Sequence, residues 1–213
     1  MEKIKDLRNE YQKDALERQD LKDDPIGQFM LWWDDAIQSE LTEPNAMTLA
    51  TVNDEGQPSA RIVLLKGISN GGFEFYTNYH SQKAIEIAAN PKVALVFLWK
   101  ELERQVRIEG LAEKLSLKES QEYFQSRPRG SQIGAWSSPQ SEIIANREEL
   151  EAVYKLITDQ FEKVDPLPCP DHWGGYIVKP QLIEFWQGRP NRLHDRFRYL
   201  KKGENWSIDR LAP

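Results

Sequence analysis

The sequence predicts an α+β fold in which an antiparallel sheet forms a barrel with peripheral helices. Short β-like runs begin near residue 46, at 47–52, 61–66, 73–77, 93–99 and 105–112. The first three are separated by Asn-Asp-Glu-Gly at 53–56 and Ser-Asn-Gly-Gly at 69–72, which are strong turn signals. Such short connections favour antiparallel pairing, because a parallel pair needs a long crossover. Helical periodicity flanks these runs on both sides.

The helices are predicted from caps and apolar spacing. Residues 1–24 are almost entirely polar, and their spacing allows either a short amphipathic arm or a frayed tail. Asp24 and Pro25 predict a helix start, and an apolar stripe follows them at three- and four-residue steps. Further helices are expected over 81–89, from the capping box at 116–119 to about residue 125, and after Pro139.

Three more strand-like runs, at 176–179, 182–187 and 206–208, follow a proline-rich connector at 166–170. No repeat and no sharp change in composition along the chain marks a domain boundary. We therefore predict an N-terminal arm over 1–24 and a single domain over 25–213.

Composition excludes several classes of function. The 213 residues include 28 Lys and Arg against 34 Asp and Glu, a net charge of -6, which disfavours a general nucleic-acid binder. The single cysteine, Cys169, excludes a disulfide framework, and with His172 it forms a pair too small for a metal site. No apolar run approaches a membrane span, and the charged N-terminus lacks an apolar signal region. We expect a cytoplasmic globular protein without a membrane partner.

Against this acidic background, local clusters of cations are informative. Residues 184–202 contain six Arg and Lys against two acidic residues, which is 6 − 2 = +4, together with Trp186 and His194. This mixture suits a small anionic aromatic ligand, whereas the simpler alternative is a solvated strand face. A second cluster, Ser-Arg-Pro-Arg-Gly-Ser-Gln at 126–132, suits a phosphate or is only the loop that ends a helix.

Two further segments could bind anions. In the run 76–83, Ser81 can cap the following helix, so that free N–H groups and Lys83 face one space. In the run 61–66, Arg61 and Lys66 should point to opposite sides of a strand, because side chains alternate. No dinucleotide-binding glycine motif, zinc-protease motif or serine-hydrolase elbow is present.

Nine sequence blocks together resemble the pyridoxine/pyridoxamine 5'-phosphate oxidase family. Each is weak alone, but their order along nearly the whole chain is specific. The blocks are Arg-Ile-Val-Leu-Leu-Lys at 61–66, Phe-Tyr-Thr-Asn at 75–78, Glu-Arg-Gln-Val at 103–106, Ser-Arg-Pro-Arg at 126–129, Gln-Ile-Gly-Ala-Trp at 132–136, Trp-Gly-Gly at 173–175, Glu-Phe-Trp-Gln-Gly at 184–188, Arg-Leu-His-Asp-Arg at 192–196 and Asp-Arg-Leu-Ala-Pro at 209–213.

The resemblance implies an FMN-binding split barrel, a homodimer with two FMN sites at the subunit interface. The implied reaction oxidises pyridoxine or pyridoxamine 5'-phosphate to pyridoxal 5'-phosphate. Dioxygen would reoxidise the flavin to give hydrogen peroxide, and the amine substrate would also release ammonia.

The resemblance also implies the site residues. Those assigned to FMN, some of them from the second subunit, are Arg61, Ile62, Val63, Leu64, Leu65, Lys66, Tyr76, Thr77, Gln82, Lys83, Gln105, Gln140, Ser141, Trp186 and Arg196. Those assigned to the substrate are Arg8, Tyr11, Lys66, Tyr123, Arg127, Ser131, Arg192 and His194. The resemblance implies that the arm over 1–24, through Arg8 and Tyr11, folds over the substrate as a lid. Arg192 and His194 are the implied catalytic residues, and in a strand they would share one face with Arg196. Gln140 and Ser141 are expected in the first turn of the helix after Pro139.

One departure from the family pattern concerns flavin affinity. The family usually has Ser-Arg-Lys where this chain has Ser-Gln-Lys at 81–83, so Gln82 should weaken FMN retention. Two alternatives stay open at this point: another split-barrel flavoenzyme with a different substrate, and a flavin- or pyridoxal-phosphate-binding module without catalysis. The first would bind FMN without oxidising pyridoxine phosphate, and the second would release no peroxide.

Overall fold

A computed structural model describes residues 4–7 and 9–213. Among these residues, nine strands form one sheet in which every pair is antiparallel. The strands are β1 (Ala46–Val52), β2 (Pro58–Leu64), β3 (Gly67–Ser69), β4 (Gly72–Asn78), β5 (Lys92–Trp99), β6 (Arg104–Lys114), β7 (Trp173–Gln187), β8 (Asp195–Lys202) and β9 (Asn205–Arg210).

The order along the main path of the sheet is β2-β1-β5-β6-β7-β4-β3, and β8 and β9 extend from β7. The end strands β2 and β3 are not paired with each other in the described part of the chain, so the barrel is open. Five helices lie at its periphery: α1 (Pro25–Gln38), α2 (Gln82–Ala89), α3 (Leu117–Ser126), α4 (Arg129–Ser137) and α5 (Arg147–Gln160). No helix in the described ranges is long and apolar enough to cross a membrane.

Helix α1 covers the main core. The Asp24 carboxylate accepts a hydrogen bond from the Gly27 amide at 2.8 Å, which confirms the predicted cap. Its buried face includes Phe29, whose ring lies 4.9 Å from that of Phe73. The apolar stripe, predicted at positions 26, 29, 30, 33, 37 and 41, was partly wrong, because Met30 and Ile37 are exposed while Trp32 and Ala36 are buried. A second, smaller core lies beneath α3 and α4 and contains Phe124, Ile133, Phe161, Leu167 and Trp173.

The helices after residue 126 differ from the prediction. Helix α4 was missed, because it contains two glycines and few strong helix formers, and it is stabilised by packing of Ile133 in the second core. Pro139 does not begin a helix. Helix α5 begins at Arg147, where the Asn146 side chain accepts a hydrogen bond from the Glu149 amide at 2.9 Å.

The last strands are longer than predicted. The two runs expected at 176–179 and 182–187 are one strand, β7, which tolerates Pro180 because the register shifts at Glu109 and Gly110 opposite it. A Cβ atom on Gly110 would lie 2.2 Å from the Lys179 carbonyl oxygen, so this close approach requires glycine. Strand β8 was missed because its charged residues hide the alternation of its buried positions, Phe197 and Tyr199.

The described residues before α1 form an extended arm with two short 3-10 turns, Ile4–Asp6 and Arg18–Asp20. They contain no α-helix, and residues 9–24 are not a frayed tail, because Leu16 and Leu21 are buried in the main core. The backbone of the arm is also held by side chains of the sheet, since the amides of Gln12 and Lys13 both donate to Glu103 Oε2, at 2.9 and 3.0 Å.

Candidate active site

A cavity of about 830 Å³ opens between β2, the end of β4 and helices α2, α3 and α4. Four cationic side chains line it, and no carboxylate of the described residues does. Positive charge therefore dominates a partly enclosed space, which favours an anionic ligand. The lining residues are Arg61, Ile62, Val63, Leu64, Lys66, Tyr76, Thr77, Asn78, Lys83, Tyr123, Arg127, Pro128, Ser131, Gly134, Ala135, Ser138, Gln140 and Trp173.

Arg61 and Lys66 line the same cavity, so the prediction that they point to opposite sides was wrong. The reason is that β2 ends at Leu64 and the alternation stops there. The Lys66 amide then donates to the Glu74 carbonyl oxygen at 2.8 Å, which turns the chain toward β4. Leu65 is buried in the main core and does not line the cavity.

Lys83 lies at the start of α2 with its ammonium group in the cavity. Its Nζ lies 3.2 Å from both Thr77 Oγ1 and Ser81 Oγ. Burial lowers the pKa of Lys83, the nearby Arg61 lowers it further, and Glu86 opposes the shift. Ser81 occupies the cap position, but its hydroxyl donates to the Asn78 carbonyl oxygen at 2.7 Å and does not cap α2 as expected.

Arg61 is held by acceptors from three elements. Its NH1 donates to the Leu49 carbonyl oxygen at 3.3 Å and to Thr51 Oγ1, and its NH2 donates to Ser59 Oγ at 2.6 Å and Glu86 Oε2 at 3.1 Å. Gln82, assigned to FMN by resemblance, lies outside the cavity lining and donates to Glu86 Oε1 at 2.9 Å.

Arg127 lies across the cavity on a platform of aromatic rings. Its guanidinium carbon is 4.6 Å from the centroid of Trp173, and the rings of Tyr76 and Tyr123 stack at 3.8 Å beside it. The buried NH1 of Arg127 has no hydrogen-bond partner among the described residues. A buried guanidinium N–H without an acceptor at the wall of a cavity indicates a site for a ligand oxygen.

Gln140 and Ser141 lie in the loop between α4 and α5, so their predicted place in a helix was wrong. Gln140 nevertheless reaches the cavity, where its Oε1 accepts from Thr77 Oγ1 at 3.1 Å and from the Asn78 amide at 3.3 Å. Ser141 is exposed, has a φ of 74° and does not line the cavity.

The other assigned residues form a second cluster, which we name the β6–β8 patch: Gln105, Trp186, His194 and Arg196. Trp186 lies directly opposite Gln105 on β6 and Arg196 on β8, so the three side chains share one face of the sheet. Arg196 Nε donates to Glu184 Oε1 at 2.8 Å, which raises the pKa of the guanidinium and holds its plane in place.

His194 packs against Trp186, with ring centroids 4.5 Å apart. Its Nδ1 accepts a hydrogen bond from the Arg189 amide at 3.1 Å, so the neutral ring carries its proton on Nε2. Burial lowers the pKa of His194, Arg192 lowers it further and Asp195 opposes both. The imidazole is therefore neutral near pH 7 and can donate from Nε2.

Contrary to the prediction from the sequence, Arg192 and His194 do not share a strand face with Arg196. Strand β8 begins only at Asp195, because Pro190 opens a 3-10 turn and both Asn191 and Arg192 have positive φ angles, 56° and 61°. Arg192 is exposed at this turn. Arg8 lies outside the described residues.

Within one protomer the β6–β8 patch and the cavity are separate, since none of the patch residues lines the cavity. The outward-facing residues of β2 in the cavity lining, Ile62 and Leu64, nevertheless belong to the sheet face that carries the patch. A row of directly paired residues runs across this face from β2 to β8 through Ile62, Thr48, Val96, Arg107, Glu184 and Arg198.

Comparison with known proteins shows the family of the chain. A model described as pyridoxamine 5'-phosphate oxidase matches residues 33–161, and one described as the pyridoxine 5'-phosphate oxidase C-terminal dimerisation region matches residues 173–213. The chain belongs to the pyridoxamine 5'-phosphate oxidase family. It is 55% identical over 215 residues to the pyridoxine/pyridoxamine 5'-phosphate oxidase of Salinibacter ruber and 56% identical over 213 residues to that of Thermosynechococcus vestitus, each alignment covering 100% of both chains.

Solved structures show the family's fold. PhzG from Burkholderia lata, solved with tetrahydrophenazine-1-carboxylic acid, has a TM-score of 0.88 and 29% identity, covering 94% of this chain and 98% of PhzG. A pyridoxamine 5'-phosphate oxidase-related, FMN-binding protein from Nostoc punctiforme has a TM-score of 0.72 and 17% identity, covering 91% of this chain and 100% of that protein. The predicted split barrel with peripheral helices is confirmed.

Three residues that lie against the site were not predicted from the sequence. Glu86, Thr51 and Ser59 form a hydrogen-bonded group around the Arg61 guanidinium. Only the spacing of Glu86, one helical turn after Gln82 and close to Lys83, could have indicated that it lies beside them.

Proposed function

We propose that this protein is an FMN-dependent oxidase that converts pyridoxine or pyridoxamine 5'-phosphate to pyridoxal 5'-phosphate with dioxygen as acceptor. The observation that carries the proposal is the cavity lined by four cations and no carboxylate, in a chain of this family. Oxidation of the alcohol transfers two electrons and two protons to dioxygen, which becomes hydrogen peroxide. The amine additionally takes up one water and releases ammonia.

The residues present fit FMN. The Lys83 ammonium has three N–H groups, and the two hydroxyls beside it leave one for a phosphate oxygen. Thr77 and Arg61 would complete this phosphate subsite, and β2 supplies apolar contacts through Ile62 and Leu64 for the rest of the cofactor. When bound, FMN supplies the two-electron acceptor that hydride transfer from the substrate requires.

The opposite wall of the cavity suits the substrate phosphate. Arg127 has an unsatisfied buried N–H there, and Lys66, Tyr123 and Ser131 line the same region. A planar guanidinium with hydroxyl neighbours binds a phosphate through charge-assisted hydrogen bonds. The requirement for a phosphorylated substrate follows from these groups.

The β6–β8 patch supports a homodimer whose active sites are shared. The matched C-terminal region is a dimerisation region, and exposed Ile62, which lines the cavity, and exposed Leu98 lie on the sheet face that carries the patch. In a two-fold interface each protomer contributes the same surface, so the patch of one protomer can complete the cavity of the other. Two sites then form at the interface, each holding one FMN.

Arg192 and His194 act on the substrate ring in this arrangement. The guanidinium of Arg192 orients the pyridine and stabilises the charge that develops on it. His194, neutral with its proton on Nε2, donates a hydrogen bond to a polar substituent of the ring. Tyr11 packs on both Trp186 and His194 and covers this face as part of a lid, to which Arg8 also belongs in the proposal.

Aerobic turnover of FMN-loaded protein tests the proposal, with pyridoxine 5'-phosphate and unphosphorylated pyridoxine compared side by side. We expect pyridoxal phosphate and peroxide to appear together, and only from the phosphorylated substrate. A bound flavin that stays oxidised with both compounds would contradict the proposal and leave only the fold.

A further inference from the structure

A buried carboxylate lies directly behind the cationic cavity. Glu86 is only 5% exposed and does not line the cavity. Its Oε2 accepts from Thr51, from Ser59 at 2.7 Å and from Arg61 at 3.1 Å, while its Oε1 accepts from Gln82 at 2.9 Å. Both carboxylate oxygens of Glu86 accept hydrogen bonds, so the group is held in a fixed position directly behind the residues that line the cavity.

Glu86 is ionised in this setting. Burial alone would raise the pKa of Glu86, but the hydrogen bonds from Thr51, Ser59, Gln82 and Arg61 together lower it to about 2. The cavity's positive charge is therefore partly balanced from within the protein. Of the two cations nearest to Glu86, Arg61 is paired with it directly, and Lys83 is stabilised by its charge.

Arg61 and Lys83 both line the cavity, and repulsion by the positive charge of Arg61 contributes to the lowered pKa of Lys83. Without a ligand, Glu86 compensates this repulsion. When a phosphate dianion binds between the two cations, it supplies the same compensation and also lies near the negative charge of Glu86. The carboxylate and the phosphate therefore compete for the same positive charge.

We propose that Glu86 is an internal counter-ion of the FMN phosphate subsite: it positions Arg61, stabilises the flavin-free protein and limits the affinity for the phosphate dianion. The inference rests on the proposed function, because it takes FMN as the ligand of the cavity. It also assigns a role to the glutamine at position 82. Gln82 donates a neutral hydrogen bond to Glu86, so the full charge of the carboxylate stays directed at Arg61.

The substitution Glu86→Gln tests this directly, since it keeps the shape and removes the charge. FMN and riboflavin, which lacks the phosphate, are titrated into flavin-free protein while flavin fluorescence is followed. We expect FMN to bind about tenfold more tightly than to wild type, with riboflavin affinity unchanged. The flavin-free variant should melt at a lower temperature than wild type. Glu151→Gln, which removes one exposed charge on α5, should change none of these values.

An unchanged or weaker FMN affinity would overturn the inference, and so would an equal gain for riboflavin or an unchanged melting temperature. Should Glu86→Gln fail to fold without flavin, Gln82→Lys adds a cation beside Glu86 from the exposed side of α2. Gln82→Lys should increase the affinity for FMN and not that for riboflavin, and an unchanged affinity for FMN would again overturn the inference. Wild-type protein that binds no FMN would instead contradict the proposed function.

Discussion

The ring of Tyr11 stands edge-on against the indole of Trp186, with centroids 5.6 Å apart and planes at 89°. The N-terminal arm is thereby fixed over the β6–β8 patch. The arm is held here by side chains far away in sequence: Arg104 binds Asp14 at 2.8 Å, and the Asp195 carboxylate accepts from the Leu16 amide at 3.2 Å. Tyr11 thus belongs to the same surface as the two implied catalytic residues.

Gly188→Ala should loosen this lid. A Cβ atom on Gly188 would lie 2.7 Å from Tyr11 Cγ, so the tyrosine must move away from Trp186. We expect the KM for pyridoxine 5'-phosphate to rise roughly tenfold with little change in kcat, because substrate binding loses one wall. Gly27→Ala in α1, where the nearest atom is 3.4 Å away, is the control. An unchanged KM would show that Tyr11 does not contact the substrate.

Arg127→Ala should weaken binding of the phosphorylated substrate. A charge-assisted hydrogen bond contributes about 1.5–3 kcal/mol, which corresponds to roughly one to two decades in KM. The dissociation constant of FMN should stay within a small factor of wild type, because Lys83 is on the other side of the cavity. Steady-state kinetics and a flavin titration measure both quantities, with the exposed Arg147→Ala as the control. A wild-type KM would refute the assigned phosphate subsite.

Arg192→Lys should depress kcat/KM sharply with FMN still bound stoichiometrically. A compact ammonium cannot replace the planar guanidinium over the substrate ring. Stopped-flow reduction of the bound flavin under anaerobic conditions would measure the affected step, with Arg147→Lys as the control. A near-normal rate of reduction would remove Arg192 from the chemistry.

Leu98→Glu should dissociate the homodimer. Leu98 is 64% exposed on the sheet face that carries the β6–β8 patch, and Leu156 on helix α5 has the same exposure. A buried, unpaired carboxylate in an interface is strongly unfavourable. Analytical ultracentrifugation should find Leu98→Glu monomeric and Leu156→Glu dimeric. A dimeric Leu98→Glu protein would contradict the proposed interface.

The sequence predicted what local patterns determine. Turn residues and alternation located seven of the nine strands of the described sheet, and capping residues located α1 and α3. Tertiary packing determined the rest. Helix α4 forms despite two glycines because Ile133 is buried, and Lys66 joins Arg61 in one cavity because β2 ends early.

The same distinction between local patterns and tertiary packing applies to the candidate site. Sequence blocks indicated which residue types are available, and nine of the fifteen residues assigned to FMN line the cavity. No pattern in one chain could reveal that the β6–β8 patch lies apart from that cavity, or that Glu86 lies behind Arg61. Both facts depend on which strands are neighbours across the sheet.

In the proposed homodimer, each active site combines the cavity of one protomer with the patch of its partner, beside which Arg192 lies. Arg127→Ala damages only the cavity and Arg192→Ala only the patch side, so at a substrate concentration well below the wild-type KM each homodimer should be nearly inactive. A heterodimer of the two variants, purified through two different tags, contains one site with both residues intact. Its turnover of pyridoxine 5'-phosphate should recover to about half of the wild-type value. Activity that stays at the level of the single variants would contradict the shared site.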